Sequence, residues 1–217
     1  MKEKKINKKS ENTKFHRFIC GAFGGIVRFL FRIRAVGREN EPGEGGYLVC
    51  SNHISAADPV IITACMDRQI CFMGKKELFK IPLLSSLIRA LGAFPVDRKT
   101  GDVGAVKHAI KLLKEGKCVG MFPQGTRHAG EDPRGTSLRN GAAMIAYHAN
   151  ASVVPVYIHT KSKKLKVFQK TTVVIGKPIP FAEFAYSVEN KGEYARIVGE
   201  IFDRICTLGE EIDRCEK

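Results

Sequence analysis

Two short stretches carry residue types suited to proton transfer and anion binding. The first is Asn52-His53-Ile54-Ser55-Ala56-Ala57-Asp58-Pro59 and the second is Phe122-Pro123-Gln124-Gly125-Thr126-Arg127. In the first, four residues separate a histidine from an aspartate. A carboxylate on one imidazole nitrogen fixes the tautomer and stabilises the imidazolium formed when the other nitrogen takes a proton. In the second, Gly125 lets backbone approach a ligand closely, Thr126 adds a hydroxyl, and Arg127 can grip a phosphate through two parallel hydrogen bonds. Together they suit acyl transfer onto a hydroxyl of a phosphorylated acceptor.

Each stretch also has a plainer reading. Asp58 followed by Pro59 is a helix start, with Asp58 at the N-cap and proline at the first helical position. A continuous helix over 53–58 would turn His53 and Asp58 about 140° apart, so the pair requires a folded-back turn. The Phe122–Arg127 stretch reads equally as a type II turn followed by a surface arginine. Cys50 could be offered as a nucleophile, yet its apolar run reads as a core-facing strand. His16, His108, His128, His148 and His159 lack metal-ligand spacing and read as structural or surface residues.

The elements that must position these residues follow from the pattern of apolar runs. From residue 46 onward, short apolar runs alternate with helical patterns, which predicts an α/β fold with a mostly parallel or mixed sheet flanked by helices. The runs predict strands at Tyr47–Ser51, Ile70–Met73, Ala93–Val96, Cys118–Phe122, Val153–His159 and Thr172–Gly176. Helices are expected over about 82–91, with Leu84, Leu87, Ile88 and Leu91 on one side, and over 102–115, with Val103, Val106, Ile110 and Leu113 making one face. Two more are expected over 140–150 and 192–214. At 217 residues, 44% of them hydrophobic, the chain suits one domain with a sizeable core.

The net charge of +14 is uneven: residues 1–36 hold ten Lys or Arg against two Glu and so carry +8 of it. Apolar positions 15, 18, 19, 23, 26, 27 and 30 recur there at helical spacing, interrupted by Gly21, Gly24 and Gly25. Such a segment can lie in a bilayer interface with its arginines at headgroup level, or pack as a core helix. The longest uncharged apolar stretch near the start, Phe18 to Val27, has ten residues, against the roughly 20 that a spanning helix needs. Arginines follow it where a signal-peptide cleavage site should be. The expected division is a membrane-association segment over 1–36 and a catalytic domain over 37–217. The seven cysteines form no Cys-x-x-Cys pair, which favours reduced, buried thiols over zinc or disulfides.

The chain resembles the glycerophosphate acyltransferase superfamily over roughly residues 35–180. Four blocks carry the resemblance: Asn-His-x4-Asp-Pro at 52–59; Lys75-Lys76-Glu77-Leu78 with Gly92 to Arg98; 122–127; and Val153-Val154-Pro155-Val156, preceded by Arg139-Asn140-Gly141-Ala142. The resemblance implies that His53 is a general base with Asp58 as its partner. It places Lys75 and Arg98 near the acceptor or the oxyanion, Gly125, Thr126 and Arg127 on the acceptor phosphate, and Pro155 at the pocket floor. Gln124 stands where the family usually has glutamate, which removes a charge near the phosphate site.

The implied reaction moves an acyl group from acyl-CoA or acyl carrier protein to the 2-hydroxyl of 1-acylglycerol 3-phosphate (lysophosphatidic acid), giving phosphatidic acid. No permanently bound cofactor is implied. Glycerol 3-phosphate or another lysophospholipid is the alternative acceptor. An acyl thioester is already activated, so no acyl-enzyme is required, and no Gly-x-Ser-x-Gly elbow is present. Anionic membrane lipids are the expected partner, at the cytoplasmic face of a membrane with peripheral or monotopic attachment. A non-catalytic basic membrane- or nucleic-acid-binding protein would explain the N-terminal charge but not the four blocks. No recognisable nucleic-acid motif is present.

Overall fold

All six expected strands form, and a seventh precedes them. The computed structural model describes residues 24–97, 102–187 and 192–215. The strands are β1 (Ile33–Val36), β2 (Tyr47–Ser51), β3 (Ile70–Lys75), β4 (Phe94–Val96), β5 (Cys118–Met121), β6 (Ser152–His159) and β7 (Thr171–Ile175). The described helices are α1 (residues 24–30), α2 (Asp58–Cys65), α3 (Pro82–Ala90), α4 (Val103–Lys114), α5 (Gly141–Ala149) and α6 (Glu193–Cys215).

One sheet joins the strands in the order β1-β7-β6-β2-β5-β3-β4. Only β6 and β7 pair antiparallel, so β1 and β7 run opposite to the other five. Both faces of the sheet are covered, which is why β2 and β7 are buried at every residue and read as unbroken apolar runs. Alternate side chains of β2 serve different cores. Tyr47 and Val49 pack with Ile61 and Ile62 of α2, whereas Leu48 and Cys50 pack with Ala109 of α4, Ile145 of α5 and Ile201 of α6.

Three expectations need correction. The membrane-association segment was expected to run to residue 36, but Ile33–Val36 form an edge strand paired in parallel with β7. Ile33 and Ala35 pack toward the core while Arg34 is exposed, so a sheet alternation overrides the helical one. The boundary between residues 36 and 37 therefore cuts through the sheet; the part of the N-terminal segment before residue 24 lies outside the described residues. In α4 the buried face is Ala105, Ala109, Leu112 and Leu113, and Val103 is exposed. In α3, Leu87 points outward and no residue is buried.

Local chemistry sets the helix ends. Asp102 caps α4 by accepting from the Ala105 N–H at 2.9 Å. Gly116, at φ 80°, ends that helix as Lys117 N–H donates to Leu112 C=O.

Candidate active site

The chain leaves β2 through α2 to reach β3, and leaves the adjacent β5 through α5 to reach β6. These connections depart in opposite directions across the sheet and over opposite faces. A crevice therefore opens where the carboxyl ends of β2 and β5 lie side by side, the place where open α/β sheets bind ligands. Both motifs begin there.

His53 Nδ1 lies 2.8 Å from Asp58 Oδ2, and the same oxygen accepts from the Ile54 and Ser55 N–H groups at 2.7 and 2.8 Å. Residues 53–58 therefore fold back around the carboxylate instead of continuing as a helix. Asp58 is the first residue of α2 and Ala57 is the N-cap. The Asp58 side chain is turned to the preceding loop and makes no capping bond to the helix, so the expected capping role is corrected. Both side chains are buried, Asp58 completely. A carboxylate accepts only, so Nδ1 carries the hydrogen and Nε2 presents its lone pair. Nε2 has no hydrogen-bond partner among the described residues and is not sealed from solvent.

An aromatic column holds the imidazole flat. The Phe122 ring stacks on His53 at 4.0 Å with 13° between planes, and Phe72 stacks behind Phe122 at 5.8 Å and 16°. Gly120 makes room for the column: a Cβ there would fall 2.4 Å from the Phe72 ring.

The second motif turns tightly. Gly125 N–H donates to Phe122 C=O at 3.0 Å across a β-turn with Pro123 at its second position. Gly125 has φ 69° and Gln124 is not among the positive-φ residues, so the turn is type I with a left-handed glycine after it, not type II. The turn is joined to the first motif twice. His128 N–H donates to His53 C=O at 2.8 Å, and His53 N–H donates to Gln124 Oε1 at 2.7 Å. Gln124 Nε2 then donates to Thr136 Oγ1 at 2.8 Å, and the Thr136 hydroxyl donates to Pro133 C=O at 2.6 Å. Gln124 is buried and faces the histidine loop. Thr126 and Arg127 are exposed, and Arg127 makes no ion pair or hydrogen bond among the described residues.

The remaining expected residues divide. Lys75 ends β3 on the same edge of the sheet and is exposed, 3.8 Å from Glu77. Arg98 lies outside the described residues. Pro155 is buried in mid-β6, in register with Cys50 and packed beside Gly176, so the structure does not bring it to the crevice. Cys50 is completely buried and burial drives its thiol far above the usual range, which removes it as a nucleophile.

Sequence reasoning missed Asn52, whose amide accepts from Ile158 N–H at 2.8 Å and donates to Ile158 C=O at 3.1 Å, tying the end of β2 to β6. Its place directly before His53 was the available signal. It missed Thr136 and the Phe72–Phe122 column as well.

A buried histidine–aspartate pair at the switch point of an open α/β sheet, with the exposed Arg127 on the neighbouring loop, is an arrangement suited to base-assisted group transfer. The sequence profile of the family described as Acyltransferase matches residues 32–159, and the chain belongs to that family. It is 31% identical over 202 residues to the 1-acyl-sn-glycerol-3-phosphate acyltransferase of Bacillus subtilis, covering 92% of this chain and 99% of that one. It is 33% identical over 142 residues to the enzyme of the same name from Streptococcus pneumoniae, covering 63% of this chain and 51% of that one. The crystal structure of the 1-acyl-sn-glycerophosphate (LPA) acyltransferase PlsC from Thermotoga maritima superposes with a TM-score of 0.69 at 26% identity, covering 94% of this chain and 84% of that one.

Proposed function

We propose that this chain acylates the 2-hydroxyl of 1-acylglycerol 3-phosphate with an acyl thioester, giving phosphatidic acid. The observation that carries the reading is the 2.8 Å contact between His53 Nδ1 and Asp58 Oδ2, which leaves Nε2 as the open base. The acceptor hydroxyl gives its proton to Nε2 as its oxygen bonds to the thioester carbonyl carbon. The tetrahedral adduct collapses by breaking the C–S bond, and the departing thiolate takes the proton back from the imidazolium. Asp58 stabilises the imidazolium between the two transfers.

Arg127 holds the acceptor phosphate beside the base. The reading is supported by the bond from the N–H of the following residue, His128, to the His53 carbonyl, which joins the two loops. Lys75, exposed at the end of β3, adds cationic charge on that side of the sheet. An apolar groove of about 120 Å³ begins at Pro59, next to Asp58, and continues past Thr63 and Phe72 to Ile88 and Leu91. Its lining suits a fatty acyl chain and no charged group.

The test is mass spectrometry of the product formed by purified protein. It is offered 1-acylglycerol 3-phosphate, glycerol 3-phosphate and other lysophospholipids, with acyl-CoA and acyl carrier protein as competing donors. Phosphatidic acid as the main product is expected. Preferential acylation of an acceptor without a phosphate monoester would contradict the reading.

Attachment to the cytoplasmic side of an anionic membrane through the basic N-terminal segment is part of the same proposal. No described helix is long and apolar enough to cross a membrane. Seven of the ten basic side chains precede residue 24, and at about 1 kcal/mol each close to such a surface they suffice for reversible binding even if half engage. Because Ile33–Val36 belong to the sheet, the informative truncation stops before residue 24. It should weaken sedimentation with anionic vesicles while the protein stays soluble. Unchanged vesicle binding would remove this segment as an anchor.

A further inference from the structure

We infer that a second, separate surface, formed by residues 76–80 and helix α3, inserts into the interfacial layer of an anionic phospholipid bilayer and sets the active-site crevice against it. The inference rests on the reading of the acceptor as a membrane lipid. Its starting point is an apolar surplus. Ile88 and Leu91 line the groove against α2, which is the face a packed helix needs. A second stripe then points away from the protein: Leu83 is 87% exposed, Ile81 51%, Leu87 45% and Leu78 41%. Neither α3 nor the 3-10 turn Lys76–Lys80 contains a buried residue. A helix that only covered a core would carry polar residues on that outer stripe.

The charge around the stripe matches headgroups. Lys76, 3.6 Å from Asp97, and Lys80 are exposed beside Leu78 and Ile81, with Glu77 the only acid in residues 76–90 itself. Long lysine side chains can place their ammonium groups at phosphate level while leucines sit below. Arg89 instead packs over the Phe79 ring at 4.9 Å, bracing the turn on the helix.

Position completes the argument. β3 runs parallel to β5, and β5 parallel to β2, so the chain leaves β3 on the edge where His53 begins its loop. The insertion surface therefore starts at the mouth of the crevice. On the other side of the shared groove, Val27 of α1 lines the wall, and Phe29, 73% exposed, stands edge-on to Phe168 at 6.4 Å. Helices α1 and α3 thus border one apolar groove, and each carries exposed apolar residues. An acidic protein partner would use the lysines but would leave Leu83 in water, so the bilayer is the occupant that accounts for both features.

The experiment uses the full chain with Leu83 and Leu87 both changed to serine, a mild substitution at exposed positions, checked by circular dichroism. Sedimentation with mixed phosphatidylglycerol–phosphatidylcholine vesicles should fall at least tenfold. Turnover of vesicle-borne 1-acylglycerol 3-phosphate should fall in parallel, while turnover of a short-chain acceptor dispersed below its micellar concentration stays unchanged. Unaltered sedimentation would overturn the inference. So would unaltered sedimentation with lost binding of acyl carrier protein, which would make the face a protein dock.

A second readout does not depend on those variants. A fluorophore sensitive to polarity is attached at Leu83→Cys in a background with Cys20→Ser and Cys215→Ser. It should shift to the blue when anionic vesicles are added. No shift would overturn the inference, as would a blue-shifted signal already present without lipid, which would mean that protein covers the stripe. Insertion reported by the label together with absent acylation of 1-acylglycerol 3-phosphate would defeat the substrate reading and leave the membrane surface standing.

Discussion

The main-chain N–H of His53 donates to the side-chain oxygen of Gln124 at 2.7 Å, so the loop that carries the base is held by a residue of the loop that carries Arg127. The amide's other end donates to Thr136, whose hydroxyl is already committed to Pro133 C=O. That arrangement uses Gln124 as acceptor at one end and donor at the other.

Replacing Gln124 separates shape from charge. Gln124→Ala leaves the buried His53 N–H without its acceptor and should cost about 1–3 kcal/mol of stability, with a fall in kcat as the loop loosens. Gln124→Glu keeps that acceptor but cannot donate to Thr136, and it brings a negative charge to the base. The lost bond to Thr136 should lower the melting temperature of Gln124→Glu less than the lost His53 acceptor lowers that of Gln124→Ala. Thermal melts and initial rates of both variants check this. A wild-type melting temperature and kcat in Gln124→Ala would show that the amide does not hold the histidine loop.

Gly120→Ala should disturb the base without touching it. The added methyl meets the Phe72 ring, and that ring is stacked on Phe122, which is stacked on His53. Overpacking of this type costs about 1–3 kcal/mol. The expected signature is a lowered melting temperature with a lowered kcat and little change in KM. A loss of stability with kcat intact would mean that the column does not orient the imidazole.

Arg127 is expected to act on the acceptor alone. Arg127→Ala should raise the acceptor KM about ten- to a hundredfold, the worth of about 1.5–3 kcal/mol for a hydrogen bond to a charged group, and leave the donor KM unchanged. Arg127→Lys should recover part of the loss, because a point charge does not reproduce the planar fork. Initial-rate kinetics with each substrate varied in turn decides it.

The cysteines should be silent. Burial pushes the Cys118 and Cys206 thiols up to about 11 and the Cys65 thiol up to about 12, and it drives Cys50 higher still. Raised values mean that the thiol form persists as pH climbs, so at pH 8 only about one part in a thousand or less is thiolate. A disulfide reagent at pH 8 should therefore label the exposed Cys215 and spare these four in native protein, with turnover retained. Inactivation that tracks modification of Cys50 would place a thiol in the mechanism.

Much of this was legible in the chain. β2, β6 and β7 are buried on both faces, so their unbroken apolar runs announce themselves. The histidine–aspartate spacing was legible as well, though only a folded-back turn makes a pair of it. The strand Ile33–Val36 was masked by a helical pattern running into it, since its pairing with Thr171–Val174 is a long-range fact. Asp58-Pro59 matched a capping signature, yet three donors from the preceding loop outcompeted the helix for the carboxylate. The inward turn of Gln124, the outward turn of Leu87 and the space left by Gly120 each depend on neighbours distant in sequence, which no local pattern encodes.

The most direct test of the central claim is the rate at which purified His53→Ala forms phosphatidic acid from 1-acylglycerol 3-phosphate and an acyl thioester, measured by mass spectrometry beside Asp58→Ala. Loss of the base should slow turnover by about 10²- to 10⁴-fold with the circular dichroism spectrum unchanged. Asp58→Ala should also lose most of its activity and, because three N–H groups lose their acceptor, melt earlier. Turnover near the wild-type rate in folded His53→Ala would contradict the assignment of the base.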